Sequence, residues 1–235
     1  MDRPWNQIPI IDCGEKLIKL SEDLFLLEPH PYVSLGAPYG KFLDPWRLRH
    51  GVISRLVLAQ EYLKRREPKL VLAIFDAWRP IPVQEFMVEH TVNEECLKRK
   101  INRFDPENAL ILREIILNVE TFWAPPSKDP LMPPPHSTGA AVDITLCNTD
   151  GMLLDMGGEI DHIGPISAPN YYLEDASTNS QANLWNSRRN LLCEVMIEAG
   201  FCQHSHEWWH FSYGDQLWAW KSGNANAIYG NYISH

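Results

Sequence analysis

The chain is expected to fold as a single α+β domain over residues 1–235, with a mainly antiparallel central sheet flanked by helices. Two observations point there. Several stretches repeat apolar residues at helical spacing, whereas KLVLAIF (residues 69–75) and AAVDITL (after Gly139) are short apolar or β-branched runs bounded by turn formers. No internal repeat, low-complexity tract or long linker divides the chain, and 235 residues are enough to bury a sizeable core.

The first clear element is an amphipathic helix over residues 45–66, in which Leu48, Val52, Leu56 and Leu63 recur along one face beside Ile53 and Tyr62. The 69–75 run lies between Pro68 and the DAWRP turn and suits a buried strand, leaving Arg79 just past a strand end. A second helix is expected over residues 82–100. A third starts where Asp105 can cap and Pro106 can take the first helical position, ahead of NALILREIILNVETFW.

The following APPSKDPLMPPPHSTG holds six prolines, which remove backbone donors and fix φ. It must be a rigid loop, and it delivers His136. AAVDITL then reads as a strand, and CNTDGMLLDMGG as a hairpin return turning at Asp150-Gly151. Residues 161–183 are long, polar and rich in Pro, Ser and Asn, the character of a partial lid, which would include His162. A last helix is expected over residues 184–199, stopped by Gly200, before a loop and strand over 201–213.

Bulk properties narrow the function classes. A formal net charge of −9 argues against generic affinity for phosphate backbones, so nucleic acid is not an expected partner. No segment carries about 18 uninterrupted apolar residues, so no membrane span is expected. The N-terminus lacks a basic region followed by an apolar run, which speaks against a secretory signal. Five cysteines without a C-x-x-C pair fit reduced thiols in a cytoplasm.

The chemistry concentrates in two places. His136 and Asp143 stand in an H-x6-D spacing, and Glu207-Trp208-Trp209-His210 supplies a second carboxylate and a second imidazole. On one flat strand an odd separation puts side chains on opposite faces. Convergence therefore requires His136 and Glu207 to come from irregular backbone while Asp143 and His210 project from strands. Two imidazoles and a carboxylate fill three positions of a catalytic zinc and leave the fourth for water, beside which Glu207 can act as general base. Taken singly, a histidine is more often structural, and Glu207 with His210 could form an ion pair beside two packed tryptophans. Asp143 in an apolar strand is harder to explain otherwise, because a buried carboxylate needs a cation or several donors. His204, His206 and His210 would share one strand face, so an all-histidine site is conceivable, but it would leave Asp143 unexplained. His206 would otherwise support the site, touch substrate or simply pack. Trp208 and Trp209 suit core and pocket wall.

HSTGAAVDITL and EWWHF, together with FDAWRP and the MGGEID stretch ending at Asp161, resemble the zinc D-alanyl-D-alanine dipeptidases of the VanX type, related to zinc D,D-carboxypeptidases and the hedgehog-like fold. The motifs run in order between about residues 70 and 215. The resemblance implies that His136, Asp143 and His210 hold one zinc per chain and that Glu207 is the base. It also implies that Arg79 stabilises the oxyanion, an assignment that suits a permanently charged fork of donors. It further implies that Asp161 meets the free ammonium of a small dipeptide and that Tyr32 lies beside the substrate. Their ordinary roles would be a turn salt bridge for Arg79 and a solvated loop carboxylate for Asp161. Pro134 stands where the family commonly has serine, which loosens the inference to D-Ala-D-Ala itself. The rival expectations are a zinc D,D-carboxypeptidase or endopeptidase acting on peptidoglycan stem peptides, and a zinc-stabilised binding module without catalysis.

Overall fold

The computed structural model describes residues 3–21, 24–40 and 44–232. The two ends of the expected 1–235 domain, residues 1–2 and 233–235, lie outside the described residues. The order is β1 (Leu17–Lys19), β2 (Phe25–Leu26), α1 (Pro31–Ser34), β3 (Arg47–Arg49), α2 (His50–Arg66), β4 (Leu70–Asp76), α3 (Ile81–Lys98), α4 (Ala109–Phe122), β5 (Ala141–Asn148), α5 (Ser180–Glu198), β6 (Cys202–Gln203), β7 (His210–Ser212) and α6 (Gln216–Ser222). Five strands form one sheet in the order β2-β4-β5-β7-β6, and β1 pairs with β3 in a separate ribbon. β2 runs parallel to β4, and the pairs β4–β5, β5–β7, β7–β6 and β1–β3 are antiparallel. This is the expected α+β architecture with a mainly antiparallel sheet.

Side-chain alternation along the central strands separates packing from chemistry. Val142, Ile144 and Leu146 of β5 join Leu72 and Ile74 of β4 in a core that also takes Val52, Leu56 and Leu63 of α2 and Leu192, Val195 and Met196 of α5. Burying each such side chain contributes roughly 1.5–3 kcal/mol. Asp143 projects to the opposite face. A second cluster joins Val83 and Met87 of α3 to Ile115 and Val119 of α4, with Tyr32 and Trp123.

One irregularity positions the site. Ile74 opposes Ile144, yet Asp76 opposes Asp143, so Phe75 is an extra residue in β4. On an unbroken strand Asp76 would share the face of Leu72 and Ile74 and enter the apolar core. The bulge instead turns it to the face of Asp143. Across the next pair His210 opposes Asp143 while Phe211 opposes Val142. Asp76, Asp143 and His210 thus form a row across three neighbouring strands.

Several element boundaries differ from the sequence expectation. The helix expected from residue 45 starts at His50, because residues 47–49 pair with β1 and the Arg49 N–H donates to Gly139 O at 3.0 Å. Pro106 opens a 3-10 turn, Pro106–Asn108, capped by Asp105, and α4 follows it. α5 begins at Ser180 rather than 184, since the Asn179 side chain accepts from the Gln181 and Ala182 N–H groups. α6 was not anticipated. The Asp150-Gly151 hairpin turn is present, with Gly151 at φ 81 and Cys147 bridging Leu153. Among the described residues no helix is long and apolar enough to cross a membrane.

Candidate metal centre and active site

His136 arrives on irregular backbone, as parity requires. The proline run ends in a 3-10 turn, Pro135–Thr138, which Gly139 closes at φ 71. Three hydrogen bonds fasten this turn to the segment leaving β4. His136 Nδ1–H donates to Ala77 O at 2.8 Å, Arg79 N–H to His136 O at 3.3 Å, and Ser137 O–H to Arg79 O at 2.7 Å. With Nδ1 engaged, Nε2 is the His136 nitrogen turned to the site. His210 is held the other way round: its Nε2 lies 3.3 Å from Ser212 Oγ, and Nδ1 faces Asp143.

Three donors converge. His136 Nε2 lies 3.2 Å from His210 Nδ1 and 3.3 Å from Asp143 Oδ2, and His210 Nδ1 lies 3.1 Å from Asp143 Oδ1. Tetrahedral ligands at zinc distances of roughly 2.0–2.1 Å stand roughly 3.3 Å from one another. The spacing and the donor chemistry therefore fit a zinc-sized ion, and these three buried side chains could hold one. Glu207, in the loop between β6 and β7, brings Oε2 to 3.5 Å from His210 Nδ1.

The electrostatics suit a cation. Burial alone would lower His136, but the charge of Asp143 and hydrogen bonds to Asp143 and Asp76 push it up to about 10. Burial would likewise raise Asp143, yet His136 and His210 hold it well below its ordinary value. His210 is lowered, chiefly by burial. A site that draws a proton this strongly offers the same negative potential to a metal ion, whose binding displaces the proton. Glu207 is raised well above the usual carboxylate range by burial and then by the charges of Asp143 and Asp161.

Arg79 lies beside the donors. Its Nη2 donates to Asp76 Oδ2 at 2.7 Å, Tyr32 Oη at 3.2 Å and Asp143 Oδ2 at 3.3 Å, and Nη1 donates to Gln84 Oε1 at 3.0 Å. The guanidinium also sits over the rings of Tyr32 and Trp123, at 4.9 and 4.7 Å. Tyr32 in turn donates its hydroxyl to Asp161 Oδ2 at 2.9 Å. Asp161, at φ 65, is raised to about 7 by burial and then by Asp143. All seven residues singled out from the sequence therefore belong to one connected arrangement.

Sequence reasoning missed the group that organises it. Asp76 is fully buried, and its Oδ2 lies 3.1 Å from His136 Nδ1 while binding Arg79. Its Oδ1 lies 3.1 Å from His30 Nε2. The Tyr32 and Val33 N–H groups donate to His30 Nδ1, so the imidazole proton sits on Nε2 and points at Asp76. The FDAWRP motif held the signal, an aspartate three residues before the arginine. Arg3 and Trp5 were also missed, and both line the cleft with His136, Asp143, Asp161 and Glu207. The histidine alternatives are corrected as well. His204 lines the cleft with Nδ1 3.7 Å from Glu207, outside the three-donor group, whereas His206 is exposed and does not line it.

Comparison with known proteins bears on the chain as a whole. A sequence model of the D-ala-D-ala dipeptidase family (Peptidase_M15) matches residues 28–232. A D-alanyl-D-alanine dipeptidase of Synechocystis sp. is 45% identical over 226 residues, covering 93% of this chain and 90% of that protein. One from Enterococcus faecium is 26% identical over 187 residues, covering 75% of this chain and 80% of that protein. A solved vancomycin resistance D,D-pentapeptidase, VanY, in complex with Zn(II) overlays with a TM-score of 0.48 at 14% identity, over 93% of this chain and 95% of that one, too loosely for a residue-by-residue comparison.

Proposed function

The chain belongs to the D-alanyl-D-alanine dipeptidase family, and on that premise we propose that it hydrolyses D-alanyl-D-alanine or a closely related D-dipeptide with one zinc ion per chain. The observation that carries this reading is the set of three donors at tetrahedral spacing with the Glu207 carboxylate 3.5 Å from one of them. His136 Nε2, Asp143 and His210 Nδ1 would hold the metal, which supplies Lewis acidity and makes water acidic enough to lose a proton near neutral pH.

The chain's own residues do the rest. Glu207 accepts the proton of the attacking water and passes it to the leaving amine, a shuttle favoured by a carboxyl that burial raises well above the usual carboxylate range. Arg79, oriented by Asp76, donates to the carbonyl oxygen as it gains negative charge. Asp161, steadied by Tyr32, accepts the substrate's ammonium group. We take residues 1–235 as one catalytic domain working in a reducing cytoplasm, where its five free cysteines persist.

The test is a substrate panel with zinc-loaded protein. D-Ala-D-Ala should release D-alanine, and N-acetyl-D-Ala-D-Ala should be hydrolysed roughly 10- to 100-fold less efficiently, because acylation removes the charge facing Asp161. A preference for the acylated substrate would contradict the dipeptidase reading and favour a D,D-carboxypeptidase.

A further inference from the structure

We propose that Arg3 recognises the C-terminal carboxylate of the dipeptide and so makes the cleft selective for a zwitterion, a proposal that rests on the dipeptidase reading above. Arg3 lines the same cleft as the three metal donors, Glu207 and Asp161. The segment carrying it is a fixed wall. Pro4–Gln7 forms a 3-10 turn, and the Trp5 ring meets His204 and Trp220, each at 5.8 Å. Gln216 Nε2, from α6, donates to Ile8 O at 2.6 Å and Asn6 O at 3.3 Å.

The guanidinium itself is anchored but not neutralised. Nη2 donates to Glu120 O at 2.9 Å and Trp123 O at 3.1 Å, both neutral carbonyls. Among the described residues Arg3 forms no ion pair, and neither Nε nor Nη1 makes a hydrogen bond. Burial lowers its pKa, and the charges that oppose this are Glu207 and Glu120. A cation set into a cleft wall with half its fork unused gains most from an anion that arrives with the substrate.

Arg79 differs in that its charge is already paired with Asp76 at 2.7 Å and Asp143 at 3.3 Å, so it has a donor to offer a carbonyl oxygen but no uncompensated charge for a second carboxylate. Apart from the metal donor Asp143 and the base Glu207, the cleft therefore offers one carboxylate, Asp161, and one guanidinium outside any ion pair, Arg3. A free dipeptide carries the complementary ammonium and carboxylate, and a longer peptide cut internally carries neither at the corresponding positions.

The experiment compares D-Ala-D-Ala with its C-terminal amide on the zinc-loaded full chain, for the wild type, Arg3→Ala and Arg3→Lys. The wild type should prefer the free acid roughly 10- to 100-fold in kcat/KM. Arg3→Ala should lose that preference through a raised KM for the acid while the amide is hydrolysed as before, and Arg3→Lys should restore part of it. Equal losses on acid and amide, or a wild type indifferent to amidation, would overturn the assignment and leave the dipeptidase reading standing. Turnover of neither substrate by the wild type would overturn both. If Arg3→Ala does not fold, the wild-type and Arg3→Lys comparisons still decide the matter.

Discussion

Asp161 shows how much of this site is set by the environment of single side chains. Its carboxyl is raised from 3.8 to about 7 by burial and by the neighbouring charge of Asp143. In the metal-free protein the folded state therefore holds the proton more tightly than the unfolded chain. The associated stability is full below about pH 4 and is lost as pH rises through about 7. Thermal melts of metal-free wild type and Asp161→Asn should accordingly show the wild type losing ground to the variant between those values and no further change above them. A wild type that gains on the variant over that range would refute the assignment. Legibility at this scale was uneven. Asp143 could be singled out because a carboxylate in an apolar strand demands a partner, and Glu207 and His210 stood out as a second carboxylate and imidazole within the EWWHF motif. Arg3 gave no signal, because its partners lie 117 and 120 positions away and only the folded chain brings them together.

The elements follow the parity argument. Asp143 and His210 project from paired strands, whereas His136 and Glu207 come from a 3-10 turn and a loop. Gly139 allows the first of these. It sits at φ 71, and a Cβ there would collide with Leu17 of β1. Gly139→Ala should destabilise the fold by about 1–3 kcal/mol, a melting shift of about 2–4 °C per kcal/mol, and should weaken zinc binding by displacing His136. An unchanged melting temperature with unchanged zinc affinity would show that the turn does not depend on this glycine. The motif placed Asp76 near Arg79, but the direction of its side chain was not legible, because the bulge at Phe75 decides it and bulges leave no trace in an apolar run such as LVLAIF. β3 was hidden for a related reason, since residues 47–49 continue a helical pattern until pairing with β1 and Gly139 outweighs it. For α6 the caps were readable, with Asp215 accepting from the Trp218 N–H and Gly223 at φ 71, but the helix is too short for periodicity to register.

At the scale of the whole molecule, the sheet works as a divider. One face of its central strands is packed by α2 and α5, and the other carries a row of ionisable groups. The row is completed by chain segments from the proline-rich turn, the loop before β7 and the N-terminus, which makes the cleft a product of the entire fold. The sheet's class and the donors' identities followed from local patterns, while the closing of the cleft depended on contacts between distant segments that no local pattern encodes. The central claim is that these donors hold zinc and that Glu207 moves the proton. The most direct measurement is zinc content together with D-Ala-D-Ala turnover for wild type and Glu207→Gln, each stripped of metal and then given one equivalent of zinc. Both proteins should bind the ion, the wild type should release D-alanine only once reloaded, and the reloaded variant should be slower by at least about 100-fold. Turnover that survives metal removal, or that is unchanged in Glu207→Gln, would contradict it.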